Sequence, residues 1–229
     1  MALAFNVYTV PLFAAAAISF VLLLLTFPQR GRPGAWPMIG FLAAIVVWTV
    51  SYGMMLGTVS PATRLFWHNL RFVGPTLTTL AIFLFALEYS GRSELVTRRN
   101  VLLLGVVPLV TNLLVWTNQF HHLVRATTTV VEPAGTVVRL EFAWGPWYYL
   151  HVVYSYLLAI GSMALFVEKF LRLGESSTSV KQARTMFYAT IAPLFGNLVY
   201  LLGLTKVDFA PFGFTLSAVL IVAAIAIYS

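Results

Sequence analysis

Residues 142–167, FAWGPWYYLHVVYSYLLAIGSMALFV, run without one charged side chain. That is longer than the roughly 20 apolar residues a helix needs to cross a bilayer. Further charge-free windows lie at 1–29, 33–63, 72–87, 100–124, 185–205 and 209–229, and all but 72–87 reach that length as well. Apolar residues make up 60% of the 229 and charged ones 9%, against roughly 45–50% and about 25% in soluble proteins. A soluble globule could not cover its surface with so little charge. The expected fold is an all-α membrane protein, a seven-transmembrane helix bundle.

The spans are placed at about 8–27, 37–57, 65–88, 101–118, 146–170, 184–204 and 211–229 as one domain, with Pro28 to Pro37 and Ser60-Pro61 punctuating the first two connections. The first stretch lacks a basic leader and a small-residue cleavage site, so it reads as a retained helix rather than a signal peptide. Span three poses a problem. Its charge-free window reaches only about 24 Å at 1.5 Å per residue, short of the ~30 Å hydrocarbon core. Arg71 must then lie inside the membrane or snorkel to its edge.

Basic residues give a direction. The connections 28–36, 89–100 and 169–184 carry Arg30, Arg32, Arg92, Arg98, Arg99, Lys169, Arg172, Lys181 and Arg184, and the other side carries Arg64, Arg71, Arg125, Arg139 and Lys206. Such a bias marks the cytoplasmic side. The expected location is the plasma membrane, multi-pass, with the amino terminus outside and the carboxy terminus in the cytoplasm. The net charge of +7 is read the same way and not as a sign of nucleic acid, since no basic run exceeds Arg98-Arg99. Between spans four and five, the β-branched runs Thr127–Val131 and Thr136–Val138 flank Glu132-Pro133-Ala134-Gly135. They predict a small extracellular β-hairpin, resting on the outer helix ends as a partial cover.

With this direction the polar and aromatic residues gather in the outer half. His68, Arg71 and Pro75 share a helical face, as do Trp147, His151 and Tyr154. Spans four and six both carry Pro-Leu-x-x-Asn, at Pro108 with Asn112 and Pro193 with Asn197. Proline frees a carbonyl one turn earlier, which a side chain can re-satisfy. Asn and His in membrane helices serve most often as interhelical glue, and Trp144, Trp147 and Tyr149 suit anchoring at the interface. Arg71 resists a packing explanation, unless it pairs with Asp208.

Catalytic patterns are missing: there is no HExxH, no GxSxG and no pair of carboxylates at helical spacing within a span. Ser162 lies away from His68 and His151 in depth, which argues against an intramembrane serine protease. His121 and His122 point apart, so no metal site is predicted beyond a loose one with Glu132 or Glu141. Without cysteine, disulfides and thiolate sites are excluded. Lysines occur only near span ends, where a retinal Schiff base would not form. No cofactor is implied.

Several segments, taken in order, resemble a known family. They are Leu65-Phe66-Trp67-His68-Asn69-Leu70-Arg71-Phe72-Val73-Gly74-Pro75, Ala86-Leu87-Glu88-Tyr89-Ser90-Gly91-Arg92, and Pro108 to His122 with Thr117-Asn118 before the histidine pair. Gly145-Pro146-Trp147-Tyr148-Tyr149-Leu150-His151-Val152-Val153-Tyr154-Ser155-Tyr156 follows, then Gln182-Ala183-Arg184, Pro193 with Asn197, and Asp208 with Pro211. Across residues 65–229 the chain resembles the seven-transmembrane N-terminal sensor region of membrane histidine kinases of archaea and bacteria. The resemblance implies cytoplasmic PAS-type and kinase domains beyond residue 229, a homodimer, and no enzymatic activity in this chain itself. Ala14–Ala17 offer a small-residue surface for such a dimer.

The expected function is the sensory input of a two-component histidine kinase. It would detect an extracellular or membrane-borne ligand and pass the signal through span seven; a small-solute transporter is the alternative. The predicted pocket lies between spans three, five, six and seven under the hairpin. Arg71 is its centre, His68 and His151 supply adjustable donors, and Tyr154, Asn197, Tyr200, Trp67 and Trp116 form its walls. Asp208 is expected to hold Arg71 until a small anionic ligand displaces it. Lipid is the other partner expected.

Overall fold

The computed structural model describes residues 7–131, 139–172, 178–205 and 207–227. Eight α-helices and one hairpin make up the bundle: α1 Thr9–Thr26, α2 Ala35–Gly57, α3 Pro61–Arg71, α4 Val73–Tyr89, α5 Arg98–Trp116, β1 Arg125–Val131, β2 Arg139–Trp144, α6 Pro146–Arg172, α7 Thr178–Leu201 and α8 Ala210–Ile227. Five segments are long and apolar enough to cross a membrane: Thr9–Gln29, Ala35–Gly57, Pro61–Tyr89, Arg98–Trp116 and Pro146–Arg172. α8 is apolar but shorter, and α7 carries Lys181 and Arg184 near its start. The strands pair antiparallel, from Arg125 opposite Trp144 to Val131 opposite Arg139. The turn expected at 132–135 lies outside the described residues.

Span three, expected as one helix over 65–88, is two helices broken at Phe72. Pro75 accounts for the break. It has no N–H for the Arg71 carbonyl one turn earlier, and its ring crowds that carbonyl. The break ends α3 on Arg71 itself, and the side chain stays buried there.

The two prolines inside helices are repaired from neighbouring helices. Pro108 frees the Leu104 carbonyl, and Tyr154 of α6 donates its hydroxyl to that carbonyl at 2.6 Å. Pro193 frees the Ala189 carbonyl, and Ser217 of α8 donates to it. Asn112, four residues after the first proline, donates to the Pro108 carbonyl at 2.9 Å and to Thr76 of α4 at 2.8 Å. That is the glue role its residue type suggests.

The α7–α8 crossing is also a close approach of two backbones. A Cβ added to Gly213 would stand 2.6 Å from Pro193 Cα and 2.7 Å from its nitrogen. Gly213→Ala must push α8 off α7, and overpacking of this kind costs about 1–3 kcal/mol. Gly105 has nothing within 4 Å of an added Cβ. Thermal unfolding in lipid nanodiscs is therefore expected to show a clear loss for Gly213→Ala and none for Gly105→Ala.

At the end of the bundle where α4 finishes and α7 begins, polar contacts tie four helices. Arg92 and Arg172 both pair with Glu168. Lys169 lies 3.7 Å from the Tyr89 ring centroid. Tyr89 donates to Gln182 Oε1 at 2.8 Å, and Gln182 Nε2 donates to the Ala224 carbonyl of α8 at 3.4 Å. Glu88 accepts the N–H of Gly34 at the start of α2.

Candidate ligand-binding site

Three arginines are buried at the opposite end, and they differ in what they hold. Arg64 donates to the Thr58 and Leu56 carbonyls, closing the end of α2. Arg125, at the foot of β1, donates to Asn69 Oδ1 at 2.7 Å and to the Val115 carbonyl at 3.1 Å. Asn118 completes that anchor by accepting the Val124 and Arg125 N–H groups and donating to the Arg125 carbonyl. Burial draws Arg125 down to about 10, which still leaves it charged at neutral pH. The hairpin is thus fastened to α3 and α5, not merely laid on them.

Arg71 is the untied one. Its side chain is buried, and its guanidinium carbon lies 4.6 Å from the Tyr52 ring centroid. Among the described residues it makes no ion pair; the pairs present are Arg92–Glu168 and Arg172–Glu168. The expected Arg71–Asp208 pair is therefore absent. Asp208 accepts the Ala210 N–H at 3.0 Å at the start of α8, and its own N–H donates to the Tyr52 hydroxyl at 2.8 Å. Tyr52 meets both charged residues, Arg71 over its ring and the Asp208 N–H at its hydroxyl.

Arg71 and Asp208 line one cavity of about 80 Å³. His151, Asn197 and Tyr200 line it too, so five of the nine residues expected in the pocket are brought together. The remaining wall comes from Trp48, Phe72, Trp144, Tyr148, Tyr156 and the Pro193–Leu194 turn, among others. Its floor is mostly apolar, yet several donors inside it have no partner. Trp48 Nε1 and His151 Nδ1 are buried without a hydrogen bond. Asn197 accepts from Tyr156 at 3.2 Å, a tie from α7 to α6 across the cavity.

Four expected wall residues lie elsewhere. Tyr154 faces α5, where its hydroxyl repairs the Pro108 gap. Trp116 is 41% exposed, with its ring edge on Phe66. Trp67 packs against Phe66, outside the cavity wall. His68 sits behind the cavity, stacked at 4.1 Å on Phe142 of β2, with both ring nitrogens unpartnered. Its neighbours Phe72 and Trp144 are wall residues.

Trp48 and Trp144 are the notable residues missed. Tryptophan at span ends reads as an interface anchor, but Trp144 is held inward by stacking on Tyr148 at 4.0 Å. Trp48 is held by Gly74, where an added Cβ would meet its Cβ at 2.2 Å. Tyr149, by contrast, is 58% exposed, and Trp147 donates to Thr111 at 2.9 Å. His121 is engaged by Thr117 and the Leu123 N–H, and no metal-binding cluster occurs among the described residues.

Tyr154 gives a direct check on this geometry. Tyr154→Phe leaves a buried carbonyl without its donor, a loss of about 1–3 kcal/mol. Thermal unfolding is expected to fall accordingly, while ligand affinity stays at the level of the unmodified chain, because the hydroxyl points away from the cavity.

No curated protein matches the chain. The family model described as the N-terminal 7TM region of histidine kinase matches residues 11–229, which is nearly the whole sequence. With a bundle of apolar helices to match, the chain belongs to that family, the multi-pass membrane sensor regions of histidine kinases.

Proposed function

We propose that this region detects a small anionic ligand in the cavity around Arg71 and passes the event through α8 to cytoplasmic kinase domains. The observation that carries this reading is Arg71: a buried cation that makes no ion pair among the described residues, in a cavity where Trp48 Nε1 and His151 Nδ1 are also unpartnered. A buried charge without an ion pair is costly, and an anion would offset that cost while using the free N–H of Trp48. The repaired α7–α8 crossing supports α8 as the output, since Asp208 and Phe214 of the cavity lie at or near its start. A ligand acts only through its different affinity for two arrangements. Here the difference is whether Arg71 and Asp208 face each other across empty space or across an anion.

The amino terminus is outside and the carboxy terminus in the cytoplasm on this reading, with the hairpin outside. The basic bias supports it, and it is stronger than the count alone suggests. Arg64, Arg71 and Arg125 are buried, so they add little to the surface charge that sets orientation. Reporter fusions at Gly31 and Gly135 are expected to label opposite sides, with Gly135 outside; labelling on one side would sink the direction and the sided pocket together. A homodimer in the full-length kinase also belongs to this reading, tested by crosslinking in native membranes.

The ligand test is equilibrium binding to the region in nanodiscs, read by emission from Trp48 and Trp144, with a panel of carboxylates and phosphates. Saturable binding that disappears in Arg71→Gln is expected. Binding of no anion, or binding indifferent to Arg71, would overturn the reading. Flux of these anions through liposomes holding the chain alone would favour a transporter instead.

A further inference from the structure

The cavity around Arg71 has a second compartment beneath it, of about 20 Å³, lined by Phe41, Ile82, Ala159, Ser162, Thr190 and Ser217 among others. The two share Thr79, Pro193, Leu194 and Phe214 in their walls, so one continues into the other between α4, α6, α7 and α8. Their chemistry differs sharply. The lower compartment has four hydroxyl residues in its wall, and each hydroxyl is turned to a backbone carbonyl. Thr79 donates to Pro75, Ser162 to Leu158, Thr190 to Phe187 and Ser217 to Ala189. A hydroxyl has one hydrogen to give, so this wall offers no donor and behaves as apolar despite its composition. The upper compartment is the reverse: it holds the Arg71 guanidinium, and Trp48 Nε1 and His151 Nδ1 in it are unpartnered.

From this division, and resting on the reading of Arg71 as an anion site, we infer that the ligand is a short straight-chain carboxylic acid. Its carboxylate lies at Arg71, and its alkyl chain descends past Pro193 into the lower compartment. Arginine's planar fork matches a carboxylate with two parallel N–H···O bonds. Size sets the chain length. On the scale where one water needs roughly 10–15 Å³, the two compartments together hold the volume of a hexanoate ion. The narrow lower part excludes a branched or aromatic tail. The Tyr52 ring, with Arg71 above it and Asp208 bonded to its hydroxyl, keeps the aspartate off the carboxylate's place.

The experiment titrates the region in nanodiscs with acetate, butanoate, hexanoate, decanoate, hexanol and inorganic phosphate, following tryptophan emission. Hexanoate is expected to bind at least about tenfold more tightly than hexanol, the size of one charged hydrogen bond, and at least about tenfold more tightly than acetate or phosphate, which bury no alkyl chain. Arg71→Gln is expected to erase the preference for hexanoate over hexanol. Ser162→Leu fills the lower compartment and is expected to move the optimum to butanoate, whereas Gly105→Ala, which lines neither compartment, leaves it at hexanoate; should Ser162→Leu fail to insert, Ala159→Val takes its place. Acetate or phosphate binding as tightly as hexanoate, with dependence on Arg71 intact, would overturn the tail assignment alone. Hexanol binding as tightly as hexanoate, unchanged by Arg71→Gln, would overturn the anion site with it.

Discussion

Replacing Arg71 with glutamine is expected to abolish ligand binding with little net change in stability. The binding loss follows from the removal of the one cation in the cavity. Charge-assisted hydrogen bonds are worth about 1.5–3 kcal/mol, so affinity should fall by roughly ten- to a hundredfold or more. The stability effect follows from the surroundings of Arg71. It makes no ion pair among the described residues, so glutamine relieves the burial of a charge, but it also removes the cation whose field offsets the buried Asp208 carboxylate in the same cavity, and the two effects oppose each other. A residue kept for packing would behave in the opposite way. Thermal unfolding and hexanoate titration on the same nanodisc sample separate the two: loss of stability with binding retained would assign Arg71 to structure.

Arg125→Met is the counterpart, with a net loss of stability. Here the guanidinium satisfies Asn69 Oδ1 and the Val115 carbonyl in a buried site. Methionine fills similar space but leaves both acceptors bare, and each buried acceptor so abandoned costs about 1–3 kcal/mol. The foot of β1 should come loose from α3 and α5. Because β2 holds Phe142 over His68 and Trp144 in the cavity wall, the hairpin's release also opens the site. Hydrogen exchange in residues 125–131 and 139–144 is expected to accelerate strongly, with the helices unaffected. Unchanged protection there would show that strand pairing, and not Arg125, holds the cover down.

These two arginines look alike in the sequence, and the difference between them marks what could be read there. The limits of the apolar segments were legible, because charges punctuate them: the charge-free windows mark the helices, five of which among the described residues are long enough to cross a membrane, and the connection holding the hairpin. Rotation about each helix axis was not. In α4 and α8 nearly every side chain is apolar, so neither face is marked for lipid or for core. Tyr154 shares a helical face with His151 by spacing, yet the Pro108 kink draws its hydroxyl to α5. Trp48 and Trp144 carry the residue type of an interface belt, and only the absence of a Cβ at Gly74 and the stacking on Tyr148 turn them inward. Pro75 marks a break in the sequence, but nothing there marks that the break ends α3 on a buried Arg71.

The contact of Gly213 with Pro193 divides α8 very unequally. From Ala210 to that contact is only about 4.5 Å of helix, and from there to Ile227 about 21 Å. With no room even for a methyl group at that point, the two backbones cannot approach further, and the bond from Ser217 to the Ala189 carbonyl resists translation just below it. What remains is a tilt about a fixed fulcrum, with the cavity on the short arm. A displacement of half an ångström at Asp208, the scale on which a carboxylate adjusts to a bound ion, becomes roughly 2 Å at the far end of α8 by the ratio of those arms. Paired spin labels at Trp36 and Ala226 would register that gain as a change in separation on adding hexanoate. The helix thus acts as a lever whose mechanical advantage is set by the placement of a single glycine.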